Sequence, residues 1–390
     1  MNKRFTIDGS DALEQRLVSL CDHVGQAVLR IVPASKVEGL VLGGGYGRGE
    51  GGVFKTDSGD EPYNDLEFYT FLNGNRLLNE RRFQPTLNEL AEDMSLEAGI
   101  HIEFKCDSIQ RLRRSPISMF TYDLIAGHHT VIGAPDIFQD CRHHHEANAI
   151  PLSEATRLLF NRCTGLLLVR EKLSGTATRA RSQRQLSAED ADFVGRNLAK
   201  AQLALGDAIL AVHGKYHWSC RERNRRLTQL SPSEPPPNFA EIKKHHDAGV
   251  AFKLHPRRSS GGLDEFEAIH RELSRLSSDL WFWLESIRLQ EPLFTPRDYS
   301  LYRSSKCPES RPWRNYLLSL KTFGLKAFID ALAWRYPRER LFNALPLLLW
   351  EPETSAQPAL RLLLQKQLCT AATDWAGWVA AYKNIWPSYG

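Results

Sequence analysis

Apolar residues recur at helical spacing from Leu13 through Leu17, Leu20, Val24, Ala27 and Val28 to Ile31, with Ser10 ahead of them as a cap and Pro33 beyond. That period predicts a helix over Asp11 to about Ile31. Val37 to Leu42 then reads as a short buried strand that runs into glycines. A second strand is expected over Asp65 to Leu72, rich in aromatics and closed by Asn73-Gly74. A third is expected over Ile100 to Cys106, where apolar and polar residues alternate. A short amphipathic helix over Thr86 to Ala98, a helix around Met119 to Ala126 and a weak strand at Thr130 to Ile132 complete an α/β unit near residue 135.

Beyond Pro151 the pattern changes to long helical periods, about 152–173, 188–214, 264–289, 313–334 and 358–384. Polar or proline-rich links separate them, notably Ser174 to Gln185 and Ser231 to Phe239. No internal repeat is visible. The expected class is α+β: a small mixed-sheet domain over 1–150, followed by a larger, mostly helical domain over 151–390.

Composition changes this picture little. The chain has 390 residues, is 42% apolar and 25% charged, and carries a net charge of +4, too mild to argue by itself for a nucleic-acid binder. Its seven cysteines are scattered, odd in number and never in C-x-x-C spacing, which fits reduced thiols and argues against a disulfide framework or a zinc knuckle. The first residues turn acidic before an apolar core can form, so a signal peptide is not expected. No apolar run approaches the roughly 20 residues that span a bilayer. A cytoplasmic setting without membrane contact is the expectation.

The glycine-rich stretch from Leu40 to Val53, LVLGGGYGRGEGGV, carries the first candidate chemistry. Glycine costs backbone entropy and packs nothing, so a cluster means close approach or positive φ. A P-loop is excluded, because no Lys-Ser or Lys-Thr pair follows. A dinucleotide fingerprint over Gly47, Gly49 and Gly52 lacks the helix it must open, since Phe54 to Asn64 shows no apolar periodicity. The next strand offers more. Asp65 and Glu67 stand two apart and so project from one face, and Glu103 interrupts the apolar pair Ile102 and Phe104. Like charges side by side are costly unless a cation neutralises them. Hard oxygen ligands suit Mg²⁺, which usually brings substrate phosphates with it.

On these residues the chain resembles the polymerase-β-like nucleotidyltransferase superfamily, especially its minimal members. Their signature is an apolar strand, then G-S-x-A-R-G-[DE]-A, then S-D-[IVL]-[DE]. Gly44 and Gly45 stand at the Gly-Ser pair, Arg48-Gly49-Glu50 at Arg-Gly-[DE], and Asp65 and Glu67 at the paired acids. Ile102 to Phe104 matches the third acidic strand. The resemblance covers roughly residues 35–135. It implies that Asp65, Glu67 and Glu103 are both catalytic residues and ligands of Mg²⁺, with Glu103 serving the acceptor hydroxyl. It also implies nucleotide contacts from Gly44, Gly45, Tyr46 and Arg48, although Arg48 can equally brace the strands through an acid. Lys200, Lys215 and Tyr216 in the helical part are candidates for a basic or aromatic contact to the phosphates.

The implied activity is transfer of a nucleoside monophosphate from an NTP (ATP by preference) to a hydroxyl of a small molecule or protein, with release of pyrophosphate. RNA is the less favoured acceptor. A non-catalytic nucleotide-binding module is the alternative, argued by Gly45 in place of the family's serine. The gap between loop and acids, Gly52 to Tyr63, is also longer than in the family. The bland reading of the three acids is a set of salt bridges with His101, Lys105 or Arg48. Asp107 is expected to cap or turn the chain, Arg142 to Glu146 (RHHHE) to be a solvated connector, and the tryptophans from Trp281 to Trp386 to be packing residues.

Overall fold

The computed structural model describes residues 4–177, 186–259, 261–325, 331–353 and 357–390. The chain begins with α1 (Asp11–Ile31), β1 (Val37–Leu42) and the single turn α2 (Gly44–Gly47). A hairpin of β2 (Val53–Thr56) and β3 (Gly59–Pro62) comes next, then β4 (Leu66–Leu72), α3 (Arg76–Ala98) and β5 (Ile102–Asp107). Two short helices, α4 (Ile109–Arg114) and α5 (Met119–Ala126), lead to β6 (His129–Ile132). The remainder is helical: α6 (Leu152–Ala177), α7 (Ala188–Val212), α8 (Cys220–Gln229), α9 (Phe239–Leu254), α10 (Leu263–Leu289), α11 (Pro296–Leu301), α12 (Pro312–Phe323), α13 (Pro337–Trp350), α14 (Pro358–Leu368) and α15 (Trp375–Ile385). This is the expected α+β class, a small mixed sheet followed by a mostly helical region.

Local chemistry sets the boundaries. Ser10 caps α1 by accepting from the Leu13 N–H, and the Asn75 side chain caps α3 by accepting from the Leu78 N–H. α3 therefore starts at Arg76, well before the expected Thr86, and carries Pro85 inside it. The hairpin also departs from expectation. Its strands are short and carry Lys55, Asp60 and Glu61 among the apolar residues, so no periodicity marks them.

β1, β4, β5 and β6 form one sheet in the order β5-β4-β1-β6. β1 is antiparallel to both β4 and β6, and β4 runs parallel to β5. Alternate residues therefore build two cores. Leu40, Leu42, Phe68 and Phe104 pack with Leu17 and Val28 of α1 and Phe83 and Leu87 of α3. Val41, Tyr69 and Phe71 pack on the opposite side with Leu112, Leu124, Ile125 and Phe138. Each large apolar side chain so buried contributes about 1.5–3 kcal/mol.

The chain divides into two compact units. The first comprises Met1–Pro151, His213–Leu230 and Val250–Arg257, and the second Leu152–Val212, Ser231–Gly249 and Arg258–Gly390. The division at Pro151 coincides with the change of pattern, but two later segments return to the first unit. Lys215 and Tyr216 therefore belong to the first unit and Lys200 to the second.

Within the second unit α6 lies against α7 and α10, and α13 is buried nearly all round. Trp281 and Trp378 are fully buried as expected, whereas Trp313 and Trp334 are more than half exposed. Glu285 is also fully buried, and its carboxylate accepts from Arg288, Tyr299 and Thr156 at 2.6–2.8 Å. Most of the Ser174 to Gln185 link and part of the 313–334 stretch lie outside the described residues. The RHHHE connector is less solvated than its composition suggests. His144 is fully buried and its Nε2 donates to the Leu112 carbonyl at 2.9 Å.

Candidate functional site

β1, an inner strand of the sheet, delivers the chain into the glycine loop. The Gly43 N–H donates to the Glu67 carbonyl (2.9 Å), which fastens the loop to β4. Gly44 adopts φ +62°, a left-handed conformation that favours glycine. A Cβ on Gly47 would stand 2.1 Å from the Leu42 carbonyl oxygen, so α2 turns back on β1 at a distance only glycine permits. At Gly45 a Cβ would meet the Glu50 carbonyl oxygen at 3.1 Å, and a serine there requires a small shift.

Glu67 and Glu103 are directly in register across the parallel β4–β5 pair, so their side chains leave one face of the sheet as neighbours. Glu67 is half-buried, and its Oε1 lies 3.3 Å from where a Gly44 Cβ would stand. The acid therefore faces the loop. Its Oε2 accepts from the Tyr69 hydroxyl at 2.8 Å. Burial, then the Glu67 charge, raises the Tyr69 phenol above its ordinary range. Glu103 accepts from Lys105 Nζ at 2.8 Å, and that ammonium also sits 5.7 Å from the centre of the Tyr69 ring. Tyr69 and Lys105 form the next register pair along the same face. Their period-2 spacing from the two acids is a signal that could have marked both residues.

Asp65 is exposed immediately before β4. Among the described residues no group of three or more His, Cys, Asp or Glu side chains is placed to hold a metal ion. Glu67, Glu103 and Gly44 are thus brought together, whereas Asp65 is not gathered with the two glutamates into such a group. In kind the donors suit Mg²⁺, since all three are carboxylates. In arrangement the register pair supplies two of them. Asp107 serves the turn, as expected, accepting from the Ser108 N–H (2.8 Å) and Arg111 Nε (2.6 Å).

Other loop residues face inward. Tyr46 is 1% exposed. Its hydroxyl donates to the Gly52 carbonyl (2.8 Å) and accepts from the N–H groups of Tyr63 (2.8 Å) and Asn64 (3.4 Å). Burial pushes this phenol up to about 12, against the pull of those two N–H bonds. Arg48 donates from Nη1 to Asp123 Oδ2 at 3.0 Å, a tie to the helix α5 and not to a strand. Tyr216 is buried and donates to the same oxygen at 3.2 Å. Lys215 is exposed beside it, and Lys200 is exposed on α7 in the second unit.

Glu50 is the residue whose role the sequence does not announce. It is 5% exposed, and its carboxylate accepts from Ser219 Oγ (2.5 Å) and the N–H groups of Cys220 (2.7 Å) and Arg221 (3.4 Å). The acid of Arg-Gly-[DE] therefore caps α8, where the helix dipole favours negative charge. Burial alone would raise the Glu50 carboxyl, but the Ser219 and Cys220 bonds, with Lys253 nearby, hold it below the usual range. Lys253, half-buried, is held below the usual lysine range first by removal from water and then by the charge of Arg48. Beyond Glu50 an open cleft of about 470 Å³ is bordered by Ile7, Arg48, Trp218, Arg221 and Arg225, among others.

Comparison of the chain with protein-family models, with curated proteins and with solved structures finds no match in any of the three.

Proposed function

We propose that the first unit transfers a nucleoside monophosphate from an NTP, ATP by preference, to a hydroxyl of a small molecule or protein. One observation carries this reading: Glu67 and Glu103 stand in register on one sheet face while Glu67 faces the positive-φ glycine Gly44. The glycines leave the backbone open to close approach by phosphate oxygens, and two neighbouring carboxylates attract a divalent cation. Glu67 and Glu103 would hold Mg²⁺, with Asp65 at the entrance to β4. When bound, the ion supplies charge neutralisation for the phosphates. Glu67 is oriented by its bond from Tyr69, and Glu103 is held in place by Lys105. Glu103 would take the acceptor's proton.

A second reading, a nucleotide-binding module without catalysis, is favoured by the Glu103–Lys105 ion pair and by Asp65 lying outside a three-acid cluster. Pyrophosphate release with each of the four NTPs, with and without Mg²⁺, separates the two. Transfer predicts metal-dependent release by the native chain, loss of it in Glu67→Gln and Asp65→Asn, and unchanged or raised thermal stability in both variants. Tight Mg²⁺–NTP binding without release selects the module. Absence of binding and release together removes both readings.

A further inference from the structure

The cleft at the far end of the glycine loop is lined by three arginines, Arg48, Arg221 and Arg225, and two carboxylates, Glu50 and Glu222. Both carboxylates are already answered from within the fold. Glu50 caps α8, and Glu222 accepts from Arg225 (2.6 and 2.7 Å) and Arg226 (2.8 Å). Two further guanidiniums border the cleft. The Arg48 side chain is nine-tenths buried and donates from Nη1 to Asp123 Oδ2 (3.0 Å), while its Nε has no hydrogen-bond partner among the described residues. Arg221 is exposed in the first turn of α8, with no side-chain partner among the described residues. The wall beside them is Trp218, half-buried, with its ring edge against Gly127.

We propose that this cleft binds a phosphate monoester carried on a ring, with the phosphate held by Arg48 and Arg221 and the ring lying on Trp218. A monoester carries about −1.5 to −2 charge at neutral pH, which the exposed Arg221, without a carboxylate partner among the described residues, would answer together with Arg48. Arginine presents its donors as a planar fork that fits phosphate oxygens. The cleft volume of about 470 Å³ lies in the range of small-ligand sites. A sugar phosphate and a nucleoside monophosphate share this chemistry. If the first unit is a nucleotidyltransferase, the ligand here is its acceptor, a role that rests on that reading; binding itself does not.

Magnesium-free calorimetry on the full chain tests it, with ribose 5-phosphate, AMP, inorganic phosphate and ribose as probes. Saturable binding of at least one monoester is expected, with ribose alone showing none. Tighter binding of AMP assigns the ring to a base, and tighter binding of ribose 5-phosphate assigns it to a sugar. Arg221→Ala, at an exposed position, should weaken the monoester by at least about tenfold, as expected for a lost charge-assisted bond. Trp218→Leu should weaken the monoester and leave inorganic phosphate unchanged. Failure of both monoesters to bind at millimolar concentration, or an Arg221→Ala variant that binds as the native chain does, overturns the proposal. Monoester binding without pyrophosphate release would leave the cleft standing and remove the transferase reading; release without monoester binding would do the reverse.

Discussion

Glu50 and Glu67 stand at the two sides of one glycine loop, and the fold treats them in opposite ways. Glu50 is withdrawn from water and given a hydroxyl and backbone N–H groups from the start of α8. Glu67 stays partly exposed, shares a sheet face with another acid, and accepts from the Tyr69 phenol. A buried carboxylate with matched donors holds a structure together, because removing it leaves those donors stranded. A half-exposed carboxylate beside a like charge contributes little to stability and is free to meet a ligand. The same residue type, seventeen positions apart by the numbering, thus serves the scaffold on one side and the candidate chemistry on the other.

The largest break in this comparison is Glu50→Ala. Loss of the cap is expected to lower stability by about 3 kcal/mol in urea denaturation, since Ser219 and Cys220 are left without an acceptor. Glu67→Ala in the same assay should shift stability by less than about 1 kcal/mol; equal losses would erase the distinction. Next comes Tyr46→Phe, which removes the hydroxyl that joins Gly52 to Tyr63. A loss of about 1–2 kcal/mol is expected, measured by the same denaturation.

pH sharpens the contrast. The folded Glu50 carboxyl lies below its unfolded value of about 4.5, so its contribution is fully present above that value and fades as pH falls through the folded one. Glu50→Gln should therefore flatten the acid limb of the stability profile below about pH 4.5, an effect read from urea midpoints across that range. The smallest effect is Lys105→Ala. This ion pair is exposed, so stability should change by less than about 0.5 kcal/mol. Glu103 is left facing Glu67 without its cation, and added Mg²⁺ should raise the melting midpoint of this variant more than that of the native chain.

The sequence carried the elements that obey a strong period. α1, β1 and α5 end where the apolar spacing and caps place them. It also marked Glu67 and Glu103 as acids turned away from an apolar core, because each stands between two apolar neighbours, but not their pairing in register. Elements without a period were hidden. The β2–β3 hairpin is mostly polar, and Pro85 masks the first half of α3, since a proline ordinarily ends a helix. The helix α8 reads as the basic run RERNRR, with only Cys220 and Leu227 as apolar anchors. Its partner Glu50 is 169 residues away along the chain, and no local pattern encodes a cap supplied from that distance. Tyr46 was misplaced for a related reason: its neighbours suggest a ligand loop, whereas its ring is taken up by the interior.

The tie made by Tyr46 has a consequence for how the chain can vary. One hydroxyl receives the segment on both sides of the β2–β3 hairpin, at Gly52 on the way out and at Tyr63 on the way back. The hairpin therefore hangs from a closed neck, and its length is uncoupled from the position of Asp65 and Glu67. Beyond the exposed bond from the Ser10 N–H to Asp60, little of the unit depends on its tip. Lengthening such a loop costs only about 0.6 kcal/mol per doubling. The turn at Asp57 and Ser58 is thus a natural port for an inserted tag or domain, or for new chain ends, with the two acids left in register.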